Sequence, residues 1–171
     1  VAMTVDGEVI ARGLSLFRTI RGRMELFRLA NGAQLIEDSY NANPSSMRAA
    51  LDALNDLSGT GRRLAVLGDM LELGEESDAL HRELGREAAS QVDALLLMGE
   101  KAGKVAEGAK EGGLDAAHLH VVDTAESACR WLQSWLQPDD RILIKGSRGM
   151  RMEKISAALL APGFFPIETE R

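Results

Sequence analysis

The chain lacks the features that mark most specialised protein classes. Cys129 is the single cysteine in 171 residues, which excludes an internal disulfide and a multi-cysteine zinc site. No apolar run approaches the roughly 20 residues of a membrane span, so no membrane span is expected. Basic residues do not predominate: 20 Lys and Arg stand against 26 Asp and Glu, a formal charge of −6. A broad nucleic-acid grip needs a basic face, so no nucleic-acid partner is expected. A local anion site is not excluded, because backbone amides supply one without net charge. No GxxxxGK[ST] loop occurs; the glycines between Gly59 and Arg63 lack the lysine–serine ending of an ATP phosphate cradle. The start, Val1 to Thr4, has no initiator Met, no basic segment and no apolar core. The expectation is a piece of a longer chain, without a signal peptide and cytoplasmic.

What is present has globular composition. Hydrophobic residues make up 45% and charged residues 27%, a balance that suits one well-cored domain and argues against disorder. Short apolar runs alternate with helical patterns. Leu35–Ile36, Leu64–Leu67, Ala94–Met98, Leu119–Val122 and Ile142–Ile144 read as strands. The middle three recur at about 25–30 residues, the length of a strand–helix–strand unit. Their unbroken apolar character fits a parallel sheet covered on both faces. Asn43-Pro44 gives an N-cap and a first-turn proline, followed by Met47, Ala50, Leu51, Leu54 and Leu57 on one helical face. Further helices are expected over about 77–90 and 101–111, then after the Thr124 cap, then through Met152, Ile155 and Leu159. Val9, Ile10, Leu14 and Leu16 suggest a short helix near the start, and Ala161–Arg171 an irregular tail. Met24–Leu29 and Ala33–Glu37, joined by Asn31-Gly32, read as a hairpin.

Three buried-looking strands run into polar or glycine-rich junctions: Glu37–Pro44, Gly68–Gly74 and Lys145–Met150. Ligands of parallel α/β sheets sit outside the carboxyl ends of the strands, so three such junctions on one edge point to a site. A carboxylate at Asp38 matches two ribose hydroxyls; a turn or helix-capping aspartate is the plain alternative. Tyr40, the only tyrosine, is placed to stack on a base or simply to pack. Asn41 and Asn43 can donate and accept as an adenine edge requires, although capping alone accounts for Asn43. Lys145, Ser147 and Arg148 surround Gly146 and Gly149 at a helix start, which suits a carboxylate or phosphate or an ordinary basic turn. His81 follows the Gly68–Gly74 loop and reads as a helix-surface histidine ahead of a catalytic one. His118 and His120 read as surface or strand-end residues, and Cys129 as packed.

Four strings resemble the Mur ligase family: Gly22-Arg23-Met24-Glu25, Glu37-Asp38-Ser39-Tyr40-Asn41-Ala42-Asn43-Pro44, Gly68-Asp69-Met70-Leu71-Glu72-Leu73-Gly74 with His81, and Lys145-Gly146-Ser147-Arg148 with Met152-Glu153. They run in order over essentially the whole chain. The second and third together are similar to those of the member that joins D-alanyl-D-alanine to UDP-MurNAc-tripeptide. The Asp-Tyr-Ala-His-Thr-Pro and Asn-Pro-Arg strings of the diaminopimelate-adding relative are absent. Glu37 stands where that ligase often has a second Asp.

The resemblance implies a Rossmann-like C-terminal domain over residues 21–171, with a mainly parallel sheet flanked by helices. Residues 1–20 would be the tail of the central ATPase domain and its linker. The N-terminal UDP-substrate domain and the rest of the central domain would be partners in the same protein. ATP would be a substrate, and Mg2+ would be held by the missing central domain. By resemblance Arg23 reaches the ATP phosphates, Asp38 holds ribose, Tyr40 and Asn41 lie near adenine, and Lys145, Ser147 and Arg148 meet the dipeptide. Asp69, Asn43 and His81 stand near these positions without an assigned role. Another Mur-type amide ligase, a stand-alone nucleotide-binding module and a purely structural domain are the alternatives.

Overall fold

A computed structural model describes residues 6–9 and 20–165. Residues 7–9 are helical; the remainder of the helix expected from Val9 to Leu16 lies outside the described residues, as does the tail beyond Phe165. Six strands form one sheet: β1 (Glu25–Arg28), β2 (Gln34–Asp38), β3 (Arg63–Gly68), β4 (Ala94–Met98), β5 (Leu119–Val122) and β6 (Arg141–Lys145). Their order is β1-β2-β6-β3-β4-β5. Only β1 is antiparallel to its neighbour; the other pairings are parallel. Beyond residues 7–9, the described residues form five helices: α1 (Pro44–Asp56), α2 (Ser77–Ala89), α3 (Ala102–Glu111), α4 (Ala125–Trp135) and α5 (Glu153–Leu160). The expected mainly parallel, helix-flanked sheet is what forms.

Alternation along the strands produces two cores. Ala65 and Leu67 of β3 face α1, α2 and α3 with Met47, Leu51, Leu84 and Val105. Leu64 and Val66 face α4 and α5 with Leu132, Ile155 and Leu159. Burial of both faces explains why these strands read as continuous apolar runs. β6 enters the sheet between β2 and β3, so the chain reverses direction there and its helices change face. That reversal opens a crevice at the carboxyl ends of β2, β6 and β3.

Local chemistry sets the boundaries. Asn43 Oδ1 accepts the Ser46 N–H at 2.9 Å while Ser46 Oγ accepts the Asn43 N–H at 3.0 Å, a reciprocal cap with Pro44 in the first turn. Thr124 caps α4 through Ser127 N–H at 3.1 Å. The hairpin closes through Leu29 N–H to the Ala33 carbonyl at 2.8 Å. Only Gly32 (φ 96°) in that loop takes a positive φ. The Asn-Gly pair therefore forms a three-residue loop with a left-handed glycine, not the two-residue turn that needs positive φ at both positions.

The amino-terminal end of the sheet is tightly fastened. Arg62 forks onto Asp140 through Nε at 3.1 Å and Nη2 at 2.6 Å, and its guanidinium lies 3.6 Å from the Trp135 ring centroid. Arg141 donates to the carbonyls of Leu57 and Gly61 at 2.8 and 2.6 Å.

Candidate functional site at the carboxyl edge of the sheet

Parallel register brings the three junctions together. Asp38 at the end of β2 lies beside Lys145 at the end of β6, and Lys145 lies beside Leu67 of β3. Two clefts open over this edge, with Tyr40 in the wall of both.

The first cleft, about 350 Å³, is lined by Arg23, Asp38, Tyr40, Asn41, Asn43 and Lys145 among others. All the residues expected to meet nucleotide thus share one wall system, and Lys145 joins them. Asp38 is 8% exposed. Its Oδ1 accepts the Met24 N–H at 3.2 Å and its Oδ2 accepts Lys145 Nζ at 2.5 Å. Met24 adopts a left-handed φ of 50°, and its N–H ties the start of β1 to Asp38. Lys145 Nζ also donates to the Asn41 carbonyl at 2.9 Å. Asn43 serves as the α1 cap. The Arg23 guanidinium lies over the Tyr40 ring at 4.3 Å, a cation–π contact on an exposed arginine.

The second cleft, about 470 Å³, is lined by Arg21, Glu37, Ser39, Tyr40, Arg148 and Arg151, with Gly22 and Glu153. Arg148 is exposed and its guanidinium stands 5.3 Å from the Tyr40 ring. Arg151 takes a left-handed conformation at φ 55° and its Nε donates to Glu153 Oε1 at 2.6 Å. Glu37 is buried, with Oε1 engaged by the Ser39 N–H and hydroxyl. Arginines and carboxylates facing one cleft suit a small zwitterion. Glu37 and Arg151 are additions to the set read from sequence. Glu37 sits within the second string, and Arg151 follows the Lys-Gly-Ser-Arg string closely, so proximity to those motifs was the available signal.

The structure separates Lys145, Ser147 and Arg148, which the sequence placed together. Lys145 turns toward Asp38, and only Arg148 lines the second cleft. Ser147 is buried and fastens all three loops. Its Oγ accepts the Leu71 N–H at 2.8 Å and donates to the Ala42 carbonyl at 3.4 Å, and its N–H donates to the Asp69 carbonyl at 2.9 Å. Asp69 is likewise internal: its carboxylate accepts the N–H groups of Glu100 at 2.8 Å and Lys101 at 3.1 Å. Gly99 (φ 131°) lies directly against that carboxylate, where a Cβ would collide with it. His81 is not on the helix surface; it is fully buried. Its Nδ1 lies 2.7 Å from the Ser77 carbonyl, so that nitrogen carries the proton, and Nε2 accepts the Met70 N–H at 3.0 Å. The loop after β3 roofs α2 and covers the ring.

The remaining polar candidates lie elsewhere. His118 is exposed in a 3-10 turn before β5, and His120 packs 4.5 Å from Trp131. Cys129 is half-buried; burial pushes its thiol up, and the Glu126 charge adds to this. Among the described residues no group of three or more His, Cys, Asp or Glu side chains is arranged to hold a metal ion. Among the same residues no helix is long and apolar enough to cross a membrane.

Comparison with known proteins places this geometry. Residues 22–148 match the family described as Mur ligase, glutamate ligase domain. A UDP-N-acetylmuramoyl-tripeptide–D-alanyl-D-alanine ligase from Bacillus subtilis is 34% identical over 154 residues, covering 90% of this chain and 34% of that protein. A crystal structure of MurF from Acinetobacter baumannii superposes with a TM-score of 0.78 at 34% identity, covering 91% of this chain and 34% of that one. MurF from Thermotoga maritima, solved in complex with ADP, gives a TM-score of 0.70 at 25% identity over 87% of this chain and 35% of that one. The chain spans about a third of the length of these relatives. The match runs across every strand and through all three junctions at the carboxyl edge, and on that ground the chain belongs to the Mur ligase family, as its glutamate ligase domain.

Proposed function

We propose that this chain is the C-terminal domain of the ATP-dependent ligase that adds D-alanyl-D-alanine to UDP-MurNAc-tripeptide. The observation that carries this reading is the pair of clefts sharing Tyr40, one bearing Asp38 and the other Arg148. The first cleft takes the nucleoside end of ATP, with Asp38 accepting from ribose and Asn41 and Tyr40 beside the base. Arg23, on the segment entering the domain, reaches the phosphates. The second cleft takes the dipeptide, with Arg148 on its carboxylate. The ADP complex of the Thermotoga maritima relative supports a nucleotide in this family. On this reading the Mg2+ and the phosphate loop belong to the central domain of the longer ligase. The setting is the cytoplasm, where ATP and the UDP-linked substrate are present.

The reaction has two stages. The terminal carboxylate of the tripeptide attacks the γ-phosphorus of ATP, forming an acyl phosphate and releasing ADP. The dipeptide amine then attacks the acyl carbon; the amide C–N bond forms, the bond from that carbon to the phosphate oxygen breaks with its electron pair going to the departing phosphate, and the nitrogen gives up a proton. This domain contributes positioning and charge balance, closing over the bound substrates as a lid. Incubated with Mg-ATP, UDP-MurNAc-tripeptide and D-alanyl-D-alanine, the isolated chain yields no pentapeptide by product mass, and the chain joined to its two preceding domains yields it. Product from the isolated chain, or none from the joined protein, contradicts the reading. Tight ATP binding by the isolated chain in a titration favours the stand-alone nucleotide module instead.

A further inference from the structure

We infer that Lys145 is a positioning residue for the nucleotide, holding the Asp38 carboxylate in place for ribose, and is not a ligand of the incoming dipeptide. This inference rests on the nucleotide reading of the first cleft.

Burial and direction carry the argument. The Lys145 side chain is 2% exposed, and it lines the cleft with Asp38 and Asn41, away from the one with Arg148. Its ammonium has three N–H donors; one meets Asp38 Oδ2 at 2.5 Å and one the Asn41 carbonyl at 2.9 Å. Two of the three donors are thereby committed inside the first cleft, and burial of the side chain leaves the third turned away from solvent and from the cleft that holds Arg148.

Asp38 presents the complementary pattern. An ionised carboxylate offers about four acceptor sites. The Met24 N–H occupies one on Oδ1 and Lys145 one on Oδ2, leaving one on each oxygen. Two adjacent acceptors match the two hydroxyls of a vicinal diol. The Met24 N–H and the Lys145 ammonium each hold one carboxylate oxygen, so the diol meets a group that is already oriented. The Asn41 carbonyl contact extends the same restraint to the backbone that carries Tyr40 and Asn41.

The test is a double-mutant cycle in the longer ligase, reading the KM for ATP, the KM for D-alanyl-D-alanine and the thermal midpoint of each variant. Lys145→Met raises the ATP KM about tenfold through loss of orientation and leaves the dipeptide KM within about twofold. In an Asp38→Asn background, Lys145→Met adds less than about twofold, because its action runs through the carboxylate. Lys145→Met alone leaves a buried carboxylate without its cation and lowers the midpoint. If that single variant fails to fold, the comparison of Asp38→Asn with the double variant, which carries neither charge, decides. A further ATP KM loss in the double variant, a larger rise in dipeptide KM than in ATP KM, or tighter ATP binding in Lys145→Met overturns the inference. If Asp38→Asn itself leaves the ATP KM unchanged, the nucleotide reading of the cleft fails. If Asp38→Asn raises it and Lys145→Met does not, the positioning role fails alone.

Discussion

Each end of the sheet holds a buried aspartate beside a basic residue, and the two carboxylates differ in how fully they are occupied. Asp140, before β6, accepts four donors: the Arg62 N–H at 3.1 Å, Arg62 Nε at 3.1 Å, Arg62 Nη2 at 2.6 Å and the Gln137 N–H at 2.8 Å. That fills the acceptor capacity of a carboxylate. Asp38, at the opposite end, accepts two. A filled carboxylate fastens the chain to itself. A half-filled one, held at the wall of a cleft, retains sites for a ligand. The difference between these two carboxylates is not one of burial, since Asp140 and Asp38 are 2% and 8% exposed.

Substitutions at the two ends sharpen this contrast. Asp140→Ala removes every partner of the Arg62 fork except the Trp135 carbonyl and the ring beneath it, and frees the start of β6. A loss of about 3 kcal/mol in denaturant unfolding is expected. Ser147→Ala leaves the Leu71 N–H without its acceptor, at about 1–2 kcal/mol. It shifts the loop bearing Arg148, so the dipeptide KM rises with it, and Ser147→Thr, which retains the hydroxyl, recovers part of both. Replacing the functional pair together, Asp38→Asn with Lys145→Met, changes stability by less than about 1 kcal/mol, because a buried ion pair removed as a unit leaves no orphan charge. A loss as large as that of Asp140→Ala would erase the distinction between the ends.

Much of the scaffold was legible because local and global preferences agree. The runs Ala94–Met98 and Leu119–Val122 are strands at those bounds, and the Asn43 and Thr124 caps start helices where capping chemistry places them. The three junctions were legible as a group, because parallel strands put their carboxyl ends on one edge. What escaped was pairing across distance. Lys145 meets Asp38 across 107 residues, a contact created by the insertion of β6 between β2 and β3. His81 was misread although a signal existed: it shares a helical stripe with Leu84, Gly85 and Ala88, all buried. Gly85 of α2 and Gly108 of α3 mark a close approach of the two helices. A Cβ at Gly85 would collide with the Val105 carbonyl, and one at Gly108 with that of Arg82, so they permit the close crossing of the two helices.

The central claim is that Tyr40 divides a nucleotide cleft from a dipeptide cleft. It is tested most directly by measuring both Michaelis constants for Asp38→Ala and Arg148→Ala in the longer ligase, with unchanged melting profiles as the control. Asp38→Ala is expected to raise the ATP KM about tenfold or more, since each hydrogen bond to a charged group is worth about 1.5–3 kcal/mol, and to affect D-alanyl-D-alanine less. Arg148→Ala is expected to show the opposite bias through loss of its guanidinium from the dipeptide carboxylate. The same pattern of losses in both variants, or an Asp38→Ala effect confined to the dipeptide, would contradict the account.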